Sequence, residues 1–411
     1  MLKNYLKIAY KVLMRQKFFT FVSLFGISIT LTIVFVVVAM VDTMLSPGGR
    51  GSKLSQTLYV DMIELRNENN DIESLPSYNL LDKHVRTMTR PAVVSIISER
   101  RSTSVYVGGR KLQLDLMYAD AAFWDIAEFH FLEGGPYQKA NVDNVDAVAV
   151  INERTRAQVF GAAPAVGQTI ETTSGAFRVT GVVPTNEMPG PVASADMWVP
   201  ITQSRSMMAR EQPYGAAHAL VLPARSSDVP AIRQEFEDHL NVIRADLAGT
   251  WDSVTCVLAS PVELVTREFG QTGSGSTTMF VAIFSALVIL FMLLPAMNLV
   301  NMNVSRIFER SSEIGVRKAF GASVSALVWQ FIIENVLLTL VGGAVAIVLT
   351  VISLDILNDS GVLAFAHFTI NPYVLVYSLI ISLFFGVFSG ALPAYRMSRL
   401  HPVEALRGVT T

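Results

Sequence analysis

Four long apolar runs decide what this chain of 411 residues can fold into. Phe18 to Val41 has no charged side chain over 24 residues, enough to cross a hydrocarbon core of ~30 Å with some tilt. Met279 to Val300 lies in a charge-free interval from Phe269 to Ser305. Val324 to Leu354 is interrupted only by Glu334, and Tyr373 to Leu392 is the last run. With 51% hydrophobic and 16% charged residues, the chain is too apolar for an ordinary soluble enzyme. The first run is too long for the core of a signal peptide, and no small-x-small cleavage site follows it. It reads as an uncleaved anchor.

The basic residues orient these runs. Lys3, Lys7, Lys11, Arg15 and Lys17 precede the first; Arg306, Arg310, Arg317 and Lys318 separate the second from the third; Arg396, Arg399 and Arg407 follow the fourth. The loop between the third and fourth has no Lys or Arg. Both termini are therefore expected in the cytoplasm, and the stretch 42–276 outside it. Four-residue spacing of Lys3, Lys7, Lys11 and Arg15, with Leu6, Ala9 and Leu13 away from them, predicts an amphipathic helix over 1–17 on the membrane surface. A basic tail follows the last run over 393–411.

The external stretch reads as mixed α/β. "TLYVDMIEL" (Thr57 to Leu65) and "AVVSIISER" (Ala92 to Arg100) are β-branched runs flanking a helical pattern from Tyr78 to Thr89. "AAHALVLPA" and "SVTCVLAS" are strands on either side of a helix that starts at Asp228 and Pro230, buries Ile232, Phe236, Leu240, Ile243 and Leu247, and stops at Gly249. The order β-α-β, insertion, β-α-β is that of a split ferredoxin-like unit. The insertion, expected at about Val105 to Thr202, contains a strand "DAVAVI", a helix capped by Asn152 and ended by Gly161, a hairpin turning at Ser174-Gly175, and a strand "DMWVPI". The predicted fold is thus an α-helical membrane protein with four transmembrane helices and a large extracytoplasmic α/β domain carrying an inserted β-rich lobe. Its single Cys256 forms no internal disulfide, so that domain stands on its own core.

Catalytic signatures are missing from the sequence. The six histidines are scattered with no paired metal-ligand spacing, there is no G-x-S-x-G elbow, and no lysine follows a glycine, which excludes a P-loop. Asp143 and Asp146 read as a solvated loop. Glu334 is the one ionisable residue inside a run, about three turns from its cytoplasmic end. It costs ~2.5–3.5 kcal/mol at a bilayer centre unless it faces other helices or water. A structural contact is favoured over a proton relay, because no second intramembrane acid or base accompanies it. Gly342 and Gly343, and Gly386 with Gly390 in G-x-x-x-G spacing, mark close helix approach. Pro295 predicts a kink.

Between the second and third runs, Glu309 to Phe320 has good helix formers and no proline. Glu313 precedes Arg317 by four residues, Lys318 suits the last turn, Gly321 the stop, and Ser323 caps the next helix. Ile314, Val316, Ala319 and Phe320 give it apolar contact area.

The stretches "SSEIGVRKAFGAS", "FIIENVLLTLVGGAVAI" and "LPAYRMSRLHPVEALR", with "INERTRAQVFGAAPAVGQTI" and "FRVTGVVP" in the external region, closely resemble the FtsX-like, MacB-type family of ABC transporter permeases. This resemblance implies that 306–322 is a coupling helix docking into an ABC ATPase. Glu309, Arg310, Glu313, Ile314, Gly315, Arg317, Lys318 and Phe320 would then be contact residues. It implies a porter-like lobe in the external domain, a bacterial inner-membrane location, and ATP and magnesium held by the ATPase rather than by this chain. Because no ATPase is fused to it, the ATPase is expected on another polypeptide. The partners implied are that ATPase, a second permease copy or paralogue, membrane lipid and, in export machines, a periplasmic adaptor; nothing points to nucleic acid. Mechanotransmission for export or extraction is the leading expectation, ahead of lipoprotein extraction, activation of envelope enzymes, and an ATP-independent sensor.

Overall fold

The computed structural model describes residues 17–45, 52–107, 109–185, 192–267 and 324–359, with further positions at 14–15, 278–279, 282–290, 293, 297, 368, 375–376, 379–380, 383–384 and 387. Nearly all of 1–17, the stretch 306–322, the tail 393–411, most of the fourth apolar run and part of the second lie outside them. Two helices among the described residues are long and apolar enough to span a membrane, Thr20–Thr43 and Val328–Asn358. The chain divides into an apolar-helix unit and an α/β unit, the latter made chiefly of Thr43–Thr277.

The apolar run that opens the chain forms α1 (Lys17–Leu45). Thr30 and Thr32 donate back to the carbonyls of Gly26 and Ser28 at 2.9 and 2.7 Å, so their hydroxyls are satisfied within the helix.

The α/β unit starts with the one-turn helix α2 (Lys53–Gln56), where Ser52 Oγ accepts the Ser55 N–H at 3.1 Å. There follow β1 (Leu58–Arg66), β2 (Asp71–Pro76), α3 (Tyr78–His84) and β3 (Val93–Ser98). The insertion comprises β4 (Arg101–Val107), β5 (Arg110–Ala119), α4 (Phe123–Ala127), β6 (Val148–Asn152), α5 (Glu153–Phe160), β7 (Thr169–Thr172), β8 (Gly175–Val183) and β9 (Met197–Pro200). Then come β10 (Ala217–Leu222), α6 (Val229–Leu247), β11 (Ser253–Ala259) and α7 (Pro261–Arg267).

Four strands of the first lobe run β11-β1-β10-β3, all antiparallel, with β1 held between β11 and β10. Ile63 and Leu65 of β1 are fully buried. Helix α6 lays Ile232, Phe236, Leu240 and Ile243 into the core, the spacing of a helix with one apolar face. β2 pairs with the second half of β1, from Ile63↔Ser74 to Arg66↔Asp71, and was not anticipated. Its alternation of half-exposed residues, DIESLP, carries little strand signal. α3 stops at His84, short of the predicted Thr89. The Glu235 carboxylate accepts the Thr89 N–H at 2.8 Å, the Thr89 hydroxyl at 2.7 Å and the Arg90 N–H at 3.0 Å, and so draws that segment towards α6.

In the insertion the strands close into a ring. β4 pairs β5, β5 pairs β9 in parallel, β9 pairs β6, β6 pairs β8 in parallel, β8 pairs β7, and β7 returns to β4. Register partners Leu116, Met197, Ile151 and Val182 succeed one another round it, each at most 1% exposed. So few strands leave room only for side chains, and the ring is a packed core. It begins at Arg101, before the predicted Val105, because the exposed Arg101 and Ser102 at the start of β4 give no apolar signal. The hairpin turns at Thr173-Ser174, and Gly175, at φ 145°, is already the first residue of β8. Asp196 staples the closure: its carboxylate accepts from the Asp115 N–H (3.0 Å), Asn152 Nδ2 (2.9 Å) and Arg154 (2.7 Å). Asn152 Oδ1 meanwhile caps α5 through the Thr155 N–H at 2.7 Å. Against the ring lies an aromatic cluster of Phe123, Trp124, Phe129, Tyr137 and Trp198.

In the apolar-helix unit, α8 (Val324–Asp359) runs beyond the predicted Leu354. Asn358 closes its far end by donating to the Phe368 carbonyl (3.0 Å) and accepting the Phe368 N–H (2.9 Å).

Candidate functional site

Within the apolar-helix unit the site residues fall on α8. Gly342 stands against α1, where an added Cβ would come within 2.7 Å of Ile27 Cγ2 and 3.1 Å of Ile27 Cβ. That approach lets Ser28 donate to the Gly342 carbonyl at 3.1 Å, and Thr32 contacts the Ala346 carbonyl at 3.4 Å one turn later. Residue numbers rise together on both helices, so α1 and α8 run parallel. Small residues and interhelical hydroxyl bonds hold helices together where no solvent drives association. At Gly343 the nearest atom to an added Cβ is Leu379 Cδ1 at 3.3 Å, the end of a flexible side chain.

Glu334 is 2% exposed, and Gln330, Asn335 and Thr339 of the same helix are buried as well. Gln330 and Glu334 are four residues apart, as are Asn335 and Thr339, whose hydroxyl donates to the Asn335 carbonyl at 2.9 Å. Sequence reasoning singled out Glu334 and passed over its neighbours, although three further polar side chains in one apolar run were visible. The opposite face of α1, with Phe18, Phe21, Phe25, Ile29 and Ile33, is exposed at helical spacing and suits a lipid environment. Pro295, Gly386, Gly390 and the whole set Glu309, Arg310, Glu313, Ile314, Gly315, Arg317, Lys318 and Phe320 lie outside the described residues.

In the α/β unit, the first and last helices are each held by an ion pair. Lys53, the first residue of α2, pairs with Glu128 at 3.1 Å and donates to the Asp125 carbonyl at 2.9 Å. Arg267, the last residue of α7, pairs with Asp61 of β1 at 2.8 Å, both side chains mostly buried. Burial raises the Asp61 carboxyl, against the opposing charge and hydrogen bond of Arg267. α7 is coded locally by "SPVE". Ser260 Oγ accepts the Glu263 N–H at 3.3 Å, Glu263 accepts the Ser260 N–H at 2.7 Å, and Pro261 opens the helix. Glu263 also pairs with Arg233 of α6 at 2.6 Å. Burial pushes its carboxyl up, but hydrogen bonds from Arg233 and Ser260 outweigh that and hold it below its usual value. This capping signature was legible in the sequence and was missed.

His218 on β10 has its Nδ1 out of solvent and unpartnered, and burial lowers its pKa to about 4. Cys256 donates to the Met62 carbonyl at 3.1 Å, and burial pushes its thiol up to about 12. Asp143 is exposed, and Asp146 accepts from Asn141 at 2.8 Å. Among the described residues no group of three or more His, Cys, Asp or Glu side chains converges on a metal-binding geometry.

The model of a MacB-like periplasmic core domain matches residues 20–239, and that of an FtsX-like permease C-terminal region matches 285–402. The macrolide export ATP-binding/permease protein MacB 1 of Aeromonas hydrophila subsp. hydrophila is 28% identical over 87% of this chain and 50% of its own length. MacB of Shewanella oneidensis is 27% identical over 98% of this chain and 60% of its own. The chain thus spans about half the length of the curated relatives it matches. A crystal structure of the periplasmic region of MacB from Actinobacillus actinomycetemcomitans aligns with 53% of this chain and 95% of that one, at 15% identity and a TM-score of 0.38.

Proposed function

The chain belongs to the FtsX-like, MacB-type family of ABC transporter permeases, which are membrane proteins, and from this we propose that it is a mechanotransmission permease. In this reading an ABC ATPase binds and hydrolyses ATP with magnesium in the cytoplasm. The coupling stretch 306–322 receives its movement, the four spans carry it, and the α/β unit changes shape outside the membrane to export or extract a substrate. Two permease copies act together. The termini lie in the cytoplasm in this reading, which the distribution of Lys and Arg supports. Substrate need not pass between the spans.

One observation carries the reading. The charged, capped stretch "ERSSEIGVRKAFGAS" lies between two apolar runs, inside the region that matches the FtsX-like model. Its apolar residues have no purpose in a solvated loop and suit a docking face. Packing of Gly342 on α1 supports the reading further, since spans locked side by side move as one body.

The test replaces Ile314 and Phe320 with Asp, one at a time. A charge in place of a buried anchor weakens docking by several kcal/mol unless the site is wet. Both variants should reach the membrane at normal levels and lose ATPase co-purification and permease-dependent stimulation of ATP hydrolysis. Full binding and stimulation in both would overturn the reading.

A further inference from the structure

Within the α/β unit, strand β5 is covered unequally on its two sides. β4 pairs with it from Arg110 to Leu116, whereas β9 joins the opposite side only from Leu116 onwards. Asp115 shows which backbone groups face that second side. Its N–H donates to Asp196 Oδ2 at 3.0 Å and its carbonyl accepts the Asp196 N–H at 2.8 Å, so both point towards the chain that leads into β9. Tyr118, of the opposite parity, turns its N–H to Ser98 Oγ of β3 at 2.9 Å. Backbone direction alternates along a strand, and Lys111 and Gln113 share the parity of Asp115. Their N–H and C=O groups therefore face outward beyond the end of β9. Among the described residues no strand or loop bonds to them.

The side chains along this open edge are basic. Arg101, Arg110 and Lys111 are exposed and make no ion pair among the described residues, although Asp and Glu outnumber Lys and Arg over 43–277. Arg100 beside them does find a partner, Asp115 at 3.9 Å. Lys or Arg on a strand edge commonly guards it against pairing with other chains. A guarded edge has no use for apolar surface, yet Tyr106, directly opposite Lys111 in the register, is 65% exposed. Val107 and Leu112 next to it are only half-buried. Outward backbone groups at strand spacing suit an extended polypeptide, which pairs by its main chain and is selected by its side chains. Unpaired cations select an acidic one. They also disfavour the same edge of a second copy, because like charges would meet.

We propose that the open edge of β5 over 110–114 is a docking site for an extended acidic segment of another polypeptide. The segment adds a strand to β5 through the backbone of Lys111 and Gln113. Arg101, Arg110 and Lys111 receive its carboxylates, and Tyr106 with Val107 and Leu112 offers contact to its apolar side chains. The inference does not depend on the mechanotransmission reading, so its failure leaves that reading intact.

The experiment uses the full chain in nanodiscs of zwitterionic lipid. The probe is a short fluorescent peptide alternating Glu with Val, and binding is followed by anisotropy. Two controls accompany it: the same peptide with Lys in place of Glu, and the acidic peptide N-methylated throughout, which keeps its charge but has no N–H to pair. The acidic peptide should bind the parent chain saturably, and neither control should. Gln113→Pro removes one outward N–H at an edge position that tolerates proline, and should weaken binding about tenfold, the order of one net hydrogen bond. Lys111→Glu should abolish binding. Should either variant melt early, the N-methylated peptide on the parent chain decides alone. No saturable binding of the acidic peptide overturns the proposal, as does equal binding of its N-methylated form or parental binding in a well-folded Gln113→Pro. Inorganic polyphosphate should compete weakly. Competition as strong as that of the unlabelled peptide would mark a plain anion-binding patch and overturn the proposal as well.

Discussion

His218 shows how a single side chain sets a pH limit on the α/β unit. It is held neutral in the β10 strand, with a pKa near 4 instead of 6.5 because burial disfavours the charged ring. Below about 6.5 the unfolded chain takes up a proton that the folded chain refuses. Stability is therefore complete above 6.5 and is lost as pH falls towards 4. Melting of the full chain in detergent at pH 7 and pH 5 should show a clear loss for the parent. The loss should be smaller for His218→Leu. Equal losses would mean that other groups govern this window. Glu235 and Glu263 do not compete for it, because their carboxyls are held below their usual value and titrate lower. The sequence placed His218 in a strand but did not show that its Nδ1 has no partner. That fact depends on which chains pack around β10, which local pattern does not encode.

Among the elements, legibility followed the strength of the local signal. α6 was readable because its four buried residues repeat at helical spacing, and β1, β3, β10 and β11 because they are β-branched runs. β2 and β4 were missed or trimmed because their outer residues are polar and partly exposed. Ring closure was invisible from sequence, since parallel pairing of β9 with β5 joins residues about eighty positions apart. α8 was visible as a run, and its small residues as contacts, but not the identity of the helix they meet. Two neighbouring glycines there should respond differently. Gly342→Ala forces Cβ into Ile27, a β-branched side chain with little freedom, and overpacking of this kind costs about 1–3 kcal/mol. Gly343→Ala meets only the mobile end of Leu379 and should be nearly neutral. Thermal unfolding of the two variants in the same detergent checks this; equal melting temperatures would contradict the α1–α8 packing.

For the whole molecule, the central claim is that events at a cytoplasmic ATPase reach a folded unit on the other side of the membrane through this chain. The two described apolar helices, the α/β unit and the stretch Glu309 to Phe320 are the parts such a device needs. The most direct measurement places one spin label at Glu68 in each copy of the assembled complex and records the distance between copies by pulsed electron resonance. Cys256 can stay, because its buried thiol is too weakly acidic to compete for the label. The account predicts that the distance distribution shifts when a non-hydrolysable ATP analogue binds, and that Ile314→Asp removes the shift. An unchanged distribution in a parent complex that binds and turns over ATP would contradict it.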